Sequence, residues 1–204
     1  MKSLHTTMNK PYSESCEQNK AHILSVIKPL IASHGHVLEI GSGTGQHAIY
    51  FAENMPEVTW HTSDCLPYIA GIKMWLSESK LNNVVEPVEL NVSTSQWPDF
   101  DADAVFTANS IHIMSHDDML KLIEGVATLL KSQGDLIIYG PFNYSGQYTS
   151  ESNMWFDQSL KSRDVNSGIK HFEDILSVAK KNGLSLVKDY EMPANNRILH
   201  FSKI

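Results

Sequence analysis

The chain has 204 residues, 42% of them hydrophobic and 19% charged, which excludes a disordered or collagen-like protein and predicts one domain spanning residues 1–204. A net charge of -7, with arginine at two positions (Arg163 and Arg197), disfavours nucleic acid as the main partner. Because Cys16 and Cys65 form no CxxC pair and no secretion signal or membrane span is recognisable, we expect free thiols, no membrane association and a cytoplasmic location.

Apolar and β-branched runs bounded by turn residues predict seven β-strands. They lie at His36–Ile40, Val58–Thr62, Val84–Val92, Ala102–Ala108, Asp135–Tyr139, Leu184–Glu191 and Ile198–Ile204. Most of these strands alternate with helical segments, which predicts an α/β fold with a mostly parallel sheet and helices on both faces. The last two strands are separated by Met192–Arg197, which is too short for a helix, so they should form an antiparallel hairpin at one edge of the sheet.

Hydrophobic periodicity and end signals predict the helices between these strands. The first should begin near Ser13 or Ser15, and Pro29 should kink or end it near Lys28. The others are expected near Thr44–Asn54 and Leu66–Lys80, after Ser115 with Gly134 as the stop, and from Phe172 to Asn182. Residues 1–33 are predicted to form an N-terminal helix and lid. The polar segment Pro141–Ser152 is predicted to be a loop within a substrate-side insertion at residues 141–170.

The most informative stretch is EIGSGTGQH, in which a strand leads through Gly41, Gly43 and Gly45 into a helix. Closely spaced glycines let the backbone approach a ligand, and the helix offers free N–H groups. The spacing GxGxG differs from the dinucleotide fingerprint GxGxxG, and the loop lacks the lysine of a phosphate-binding P-loop. Glu39 favours a cationic or zwitterionic ligand. Asp64 can accept both hydroxyls of a ribose, with a helix-capping role as the alternative.

The glycine motif with Asp64 resembles motif I and its acidic partner in class I S-adenosylmethionine-dependent methyltransferases. Over nearly the whole chain, the segments KPYSESCEQN, EIGSGTGQH, ANSIHI, YGPFNYSG, TSESNMWFDQSLKSRD and EMPANN resemble the domain of unknown function 938 family, whose animal members are named methyltransferase-like 26. The resemblance implies the Rossmann-like methyltransferase sheet, with strand order 3-2-1-4-5-7-6 and strand seven antiparallel. It also implies S-adenosyl-L-methionine as the cofactor, without a known acceptor.

The resemblance also implies which residues contact the cofactor. Carried over by position, they are Glu39, Gly41, Ser42, Gly43, Thr44 and Gly45 around its methionine and ribose, Asp64 at the ribose, Asn91 and Val92 at the end of the third strand near the adenine, and Asn109. Related sequences carry aspartate in place of Asn91. Since an amide carbonyl can still accept a hydrogen bond from the adenine amine, we expect weaker electrostatics with the same geometry.

The end of the fourth strand, ANSIH, should lie where the methyl group of the cofactor points. Methyl transfer is an in-line displacement that depends mainly on positioning, so a catalytic base is optional. His112 has an ordinary pKa near neutrality and is predicted to be an acceptor-site residue or base, with loop orientation or capping of the next helix as the alternative. Asn109 and Tyr144 are the other predicted catalytic residues.

Amides, phenols and one arginine near the later strand ends suit a small polar or carboxylate-bearing acceptor. Substrate contacts are predicted at Tyr12, Asn143, Asn153, Arg163, Asn195 and Asn196, of which Asn195 and Asn196 also fit an ordinary hairpin turn. For Tyr139 and Phe156, packing in the core is favoured, with a contact to the acceptor as the alternative. No metal site is predicted, because the helix start at Ser115 breaks the spacing of the histidine and aspartate residues around it.

Three functions are consistent with these patterns. The first is methyl transfer to a small molecule, for which the glycine loop and its acidic partners are the evidence. The second is a nicotinamide-dependent oxidoreductase, which would need the GxGxxG spacing that this loop lacks. The third is a non-catalytic module that binds the cofactor or a protein partner, and it would bind without turnover.

Overall fold

The computed structural model describes residues 9–33, 35–94 and 96–204, in which seven strands and six α-helices follow one another. The first eight residues of the predicted lid at residues 1–33 lie outside the described residues. The strands are β1 (His36–Ile40), β2 (Thr59–Asp64), β3 (Val84–Glu89), β4 (Ala102–Ala108), β5 (Leu130–Gly140), β6 (Leu184–Met192) and β7 (Asn196–Lys203). The helices are α1 (Glu14–Ile31), α2 (Gln46–Asn54), α3 (Leu66–Ser79), α4 (His116–Leu129), α5 (Glu151–Arg163) and α6 (Phe172–Lys181).

The strands form one sheet in the order β3-β2-β1-β4-β5-β7-β6, which confirms the predicted α/β fold and strand order. Strands β1 to β5 pair parallel with one another, whereas β7 pairs antiparallel with both β5 and β6. The short connection before β7 therefore produces the predicted hairpin. Because parallel strands end at the same edge, the loops after β1, β2, β4 and β5 meet at the carboxyl edge of the sheet.

Two hydrophobic cores cover the two faces of this sheet. One face packs against α1 and α2 through Ile23, Ile27 and Phe51, and the Phe51 ring lies 5.5 Å from the buried ring of Trp60. The other face packs against α4 and α6, whose apolar residues recur with the helical period. Within the described residues, none of the helices is long and apolar enough to cross a membrane.

Three helix ends differ from the sequence predictions. Pro29 lies inside α1, which continues to Ile31, because burial of Ile27 and Ile31 on the sheet offsets the backbone bond that a proline removes. Helix α2 begins at Gln46 rather than Thr44, because Gly45 has a φ of +92° and cannot be helical. Strand β5 begins at Leu130, so Gly134 lies within the strand instead of separating it from α4.

Two further segments near the site differ from the secondary structure predicted from the sequence. Strand β3 ends at Glu89 instead of Val92, because the side chain of Asn91 accepts the N–H of Ser93 at 3.0 Å and turns the chain. Asn91 and Val92 are therefore turn residues and not the end of a strand. The polar segment after β5 leads directly into α5, a helix that was not predicted from the sequence. Ser150 caps this helix by accepting the N–H of Asn153.

Candidate functional site

A cavity of about 1080 Å³ opens at the carboxyl edge of the sheet. Its floor is built by the loops after β1, β2, β4 and β5, and its other walls come from α1, α3, α5 and the turn before β7. The volume is at the upper end of the range of about 300–1,000 Å³ typical of small-molecule sites. The predicted site residues that line it are Gly41, Ser42, Gly43, Thr44, Asp64, Asn109, His112, Asn153 and Asn196.

The glycine loop after β1 is folded tightly against the neighbouring loops. Gly41, Gly43 and Gly45 all have positive φ, between +59° and +92°, which favours glycine at each position. A Cβ atom on Gly41 would also lie 2.4 Å from the Oγ of Ser110 in the loop after β4. The N–H groups of Gly41 and Ser42 both donate to the carbonyl of Ser63. The loop therefore presents bare backbone to the cavity.

Asp64 connects the end of β2 to the glycine loop. Its Oδ2 accepts the N–H of Gly43 at 2.7 Å, and its Oδ1 accepts the N–H of Cys65 at the same distance. Burial raises the pKa of this carboxyl from its ordinary value, while the two backbone bonds oppose that rise. Each carboxylate oxygen has a second acceptor position, so Asp64 can bind a diol in the cavity without releasing the loop.

Glu39 lies beneath the glycine loop and does not line the cavity. Its carboxylate is buried and accepts the indole N–H of Trp60 at 3.1 Å. Burial, together with the charge of Asp64, raises the pKa of Glu39 to about 7, against the hydrogen bonds from Trp60 and Ser42. Direct contact with a ligand, which the sequence resemblance implied, is not part of this geometry. Glu39 instead supports the loop from below.

Asn109 and His112 follow β4 in the predicted order and both line the cavity. Asn109 has a φ of +57° and donates its N–H to the carbonyl of Tyr139, which fixes the start of this loop. Neither ring nitrogen of His112 has a hydrogen-bond partner among the described residues. Burial, assisted by the charge of Lys170, lowers the pKa of His112 to about 4. The imidazole is therefore neutral near neutral pH and free to bind a ligand.

The backbone after His112 is held by the segment that follows α5. The carbonyl of His112 accepts the N–H of Gly168 at 2.9 Å, and the carbonyl of Ile113 accepts the hydroxyl of Ser167 at 2.6 Å. Lys170 donates to the carbonyl of Met114 at 2.6 Å. Because three successive carbonyls are bonded, the position of the imidazole is set by rigid neighbours.

Several predicted acceptor residues lie outside the cavity lining. The hydroxyl of Tyr144 donates to Asp189 at 2.7 Å, and the Tyr144 ring stacks on Phe172. Asn143 is buried beside His171, and Arg163 is exposed at the end of α5. Tyr12 is 62% exposed, and the backbone carbonyl of Asn195 accepts the amide of Asn153. The cavity is thus built without these five side chains, and Asn91 and Val92 do not line it.

Two aromatic residues expected in the core do contribute to the cavity lining. Tyr139 is buried as predicted, but it also borders the cavity. Phe156 is 39% exposed, so the prediction of core packing is wrong for this residue. Its ring meets the His112 ring edge to face, with centroids 5.1 Å apart. Helix α5 turns Phe156 towards the loop after β4, which agrees with the alternative role of this residue at the acceptor site.

An N-terminal strap, defined as residues 9–13, crosses one side of the cavity. The carbonyl of Pro11 accepts the indole N–H of Trp75 on α3 at 2.7 Å. The N–H of Ser13 donates to the side chain of Gln46 on α2 at 2.6 Å. Pro11 and Ser13 line the cavity, whereas Tyr12 between them faces away from it. The strap therefore joins α2 to α3 above the glycine loop.

We expect Gly71→Ala to displace the strap. A Cβ atom on Gly71 would lie 2.6 Å from Cγ of Pro11, and overpacking of this kind costs about 1–3 kcal/mol. The variant should therefore be cleaved faster at the strap in limited proteolysis. The matched control is Ser77→Ala on the exposed side of the same helix, which should be cleaved at the wild-type rate. Unchanged cleavage in Gly71→Ala would show that this contact does not hold the strap in place.

Helix α1, within the predicted N-terminal helix and lid, supplies cavity residues that were not among the predicted site residues. His47 on α2 is paired through Nε2 with Asn19 at 2.7 Å, and its Nδ1 lies 3.9 Å from the thiol of Cys16. All three border the cavity. Burial lowers the pKa of His47 to about 4 and raises the pKa of Cys16, so both groups are uncharged near neutral pH. The spacing of Cys16 and Asn19 along α1 places them on one face of the helix. Which part of the protein this face contacts depends on tertiary packing.

Charge in the cavity is sparse and negative. Among the described residues that line it, Asp64 is the one acidic or basic side chain apart from the histidines. This donor set fits a cofactor that carries a ribose diol and a positively charged sulfur, and it offers no lysine or arginine for a pyrophosphate. Within the described residues, no group of three or more His, Cys, Asp or Glu side chains could hold a metal ion.

Comparisons with known proteins agree with this fold. The family model described as protein of unknown function (DUF938) matches residues 10–203. The solved structures that resemble the chain include an O-methyltransferase family protein from Burkholderia thailandensis, with a TM-score of 0.81 and 16% identity, covering 93% of this chain and 57% of that one.

Two further solved structures are similar over the same share of the chain. Mitomycin 7-O-methyltransferase has a TM-score of 0.81 at 14% identity, with 93% of this chain and 54% of that chain covered. Human N-acetylserotonin methyltransferase in complex with SAM has a TM-score of 0.78 at 13% identity, with 93% and 53% covered. The chain spans little more than half the length of these proteins, and at such identities the likeness shows the fold.

Proposed function

The chain belongs to the DUF938 family, and on that premise we propose that it is an S-adenosylmethionine-dependent methyltransferase acting on a small molecule. The proposal is carried by the pairing of the glycine loop with Asp64 in the same cavity that holds His112, whose uncharged ring has no hydrogen-bond partner among the described residues. The methyltransferase names of the similar structures, one of them in complex with SAM, support the same cofactor.

The cofactor would be held by residues of the glycine loop and the two neighbouring strand ends. Gly41 and Gly43 would let the backbone approach it closely, Asp64 would accept its ribose hydroxyls, and Asn109 would contact it from the loop after β4. When bound, S-adenosylmethionine supplies an electrophilic methyl group on a positively charged sulfur. The negative charge of Asp64 and the absence of cations among the described lining residues favour that charge.

The residues of the chain then have three tasks in the reaction. The rigid loop after β4 positions the acceptor, and positioning alone supplies much of the acceleration of an in-line displacement. The neutral imidazole of His112 accepts the proton that the acceptor loses and later passes it to water. The strap limits access of water from the side of α2 and α3. Tyr144, Asn143 and Arg163 have no part in this mechanism, since they lie outside the lining.

The test is transfer of labelled methyl groups. The purified protein is incubated with S-adenosylmethionine carrying a tritiated methyl group and with a small-molecule extract of cells, and the products are separated by mass. We expect a new labelled compound together with S-adenosylhomocysteine, and no labelled compound with Asp64→Asn. Binding of the cofactor without any labelled product would identify the chain as a non-catalytic module. Binding of NADH in place of S-adenosylmethionine would favour an oxidoreductase.

A further inference from the structure

The part of the cavity around His112 has no charged lining among the described residues. Asp64, the charged lining residue, belongs to β2, which β1 separates from β4 and its following loop. Arg163 is exposed at the end of α5 and does not line the cavity. Lys170 does not line the cavity, and its ammonium group, whose charge acts on His112, donates to the carbonyls of Met114 and Gly168 at 2.6 and 2.9 Å.

This distribution of charge selects among acceptors. A carboxylate or phosphate placed beside His112 would lose its hydration without a lysine or arginine among the described lining residues to bond it directly, since Lys170 is bound to two carbonyls, and an ammonium group would find no carboxylate in the same lining. Both losses cost free energy that an uncharged acceptor avoids. The prediction of a carboxylate-bearing acceptor matched to Arg163 therefore has no support in this geometry.

The side chains next to His112 are apolar and accessible. Ile113 is 61% exposed and Phe156 is 39% exposed, although both are large hydrophobic residues at the cavity. Phe156 meets the His112 ring edge to face, at an interplanar angle of 75°. An apolar ring that covered Ile113 and Phe156 would remove this surface from water, and aromatic rings pair favourably with such a flank.

We infer that the acceptor is an uncharged aromatic hydroxyl compound, with its ring against Ile113 and Phe156 and its hydroxyl at His112. The inference rests on the proposed function. The hydroxyl oxygen forms a bond to the methyl carbon while the bond from that carbon to the cofactor sulfur breaks. The hydroxyl proton passes to the imidazole of His112 and then to water, so the products are an aryl methyl ether and S-adenosylhomocysteine.

The experiment measures the binding of three probes of equal shape and different charge. They are 2-naphthol, 2-naphthoate and 2-(aminomethyl)naphthalene, which are neutral, anionic and cationic near neutral pH. Saturation-transfer NMR is recorded for each with the full chain and S-adenosylhomocysteine. We expect 2-naphthol to bind at least about tenfold more tightly than either charged probe, because neither charge finds a partner.

Two variants of Ile113 test whether charge sets this preference. Ile113→Arg should invert it, so that 2-naphthoate binds about tenfold more tightly than 2-naphthol, since a guanidinium provides the missing partner. The matched control Ile113→Gln adds a polar group without a charge and should keep 2-naphthol ahead. The exposure of Ile113 makes both changes compatible with folding.

The inference is overturned if wild-type protein binds 2-naphthoate or the amine as tightly as 2-naphthol, or if none of the probes binds at about 1 mM. Calorimetry with S-adenosylhomocysteine on the same samples distinguishes an error in the acceptor class from an error in the proposed function. Binding of S-adenosylhomocysteine with the wrong probe preference refutes the acceptor class alone. Failure to bind S-adenosylhomocysteine refutes the proposed function itself.

Discussion

Asp64→Asn is expected to weaken the binding of S-adenosylhomocysteine by about a hundredfold. Both carboxylate oxygens of Asp64 already accept backbone N–H groups, from Gly43 and Cys65. An amide has one oxygen, so its NH₂ group would face one of those N–H groups and leave a part-buried donor unpaired, at a cost of about 1–3 kcal/mol. The same substitution removes one acceptor for the ribose diol and the charge that strengthens both bonds. Together these losses correspond to about two powers of ten in affinity.

Isothermal titration calorimetry measures this effect directly. The matched control is Asp99→Asn, which removes one negative charge from an exposed position and should leave the affinity within about twofold. Thermal unfolding of both variants shows whether the fold is retained. A folded Asp64→Asn protein with wild-type affinity would mean that Asp64 is a helix cap and loop support alone, which was the alternative at the level of sequence.

His112→Gln should slow methyl transfer by about 10–100-fold, the low end of the usual contribution of a positioned base, because a pKa of about 4 makes His112 a weak base at neutral pH. The affinity for S-adenosylhomocysteine should change little, because the loop is held through backbone carbonyls and not through the imidazole. The rate of wild-type protein should also depend on pH in an unusual way. Burial lowers the pKa of His112 to about 4, so the neutral, active form predominates above that pH and is lost below it.

The measurements are the rate of label transfer to the acceptor found in the extract and the NMR titration of the imidazole. We expect a rate that stays level from neutral pH down to about pH 5, where an ordinary histidine with a pKa of about 6.5 would be mostly protonated. His116→Gln, at an exposed position outside the cavity, is the control. A His112 signal that titrates near pH 6.5, or a His112→Gln protein with full activity, would remove this residue from the mechanism.

The order of the strands in the sheet could be predicted from the sequence because it depends on local spacing. The short Met192–Arg197 connection fixes the final hairpin, and the alternation of strands and helices before it requires parallel crossovers. The glycine loop and Asp64 were accessible for a similar reason. Each of them directly follows a buried strand, and parallel strands bring their ends together.

The residues that form the walls of the cavity could not be predicted in this way. Asn19 and Pro11 lie in the predicted N-terminal helix and lid, but which of its side chains reach the cavity depends on how α1 and the strap fold back across the sheet. Tyr144 is the opposite case, because it was predicted to be a site residue but does not line the cavity. It follows β5 in a polar segment, as a site residue would, but its hydroxyl is bound by Asp189 from β6. Local patterns predict which strand ends carry a site, whereas side-chain partners from distant segments decide which residues face it.

Calorimetric titration of the wild-type protein with S-adenosylhomocysteine tests the central claim most directly. The account predicts one molecule bound per chain with an affinity in the micromolar range, which corresponds to about -8 kcal/mol. It also predicts that NADH, whose pyrophosphate finds no lysine or arginine among the described lining residues, gives no heat under the same conditions. An absence of heat with S-adenosylhomocysteine at about 1 mM would contradict the assignment of this cavity as a methyltransferase site.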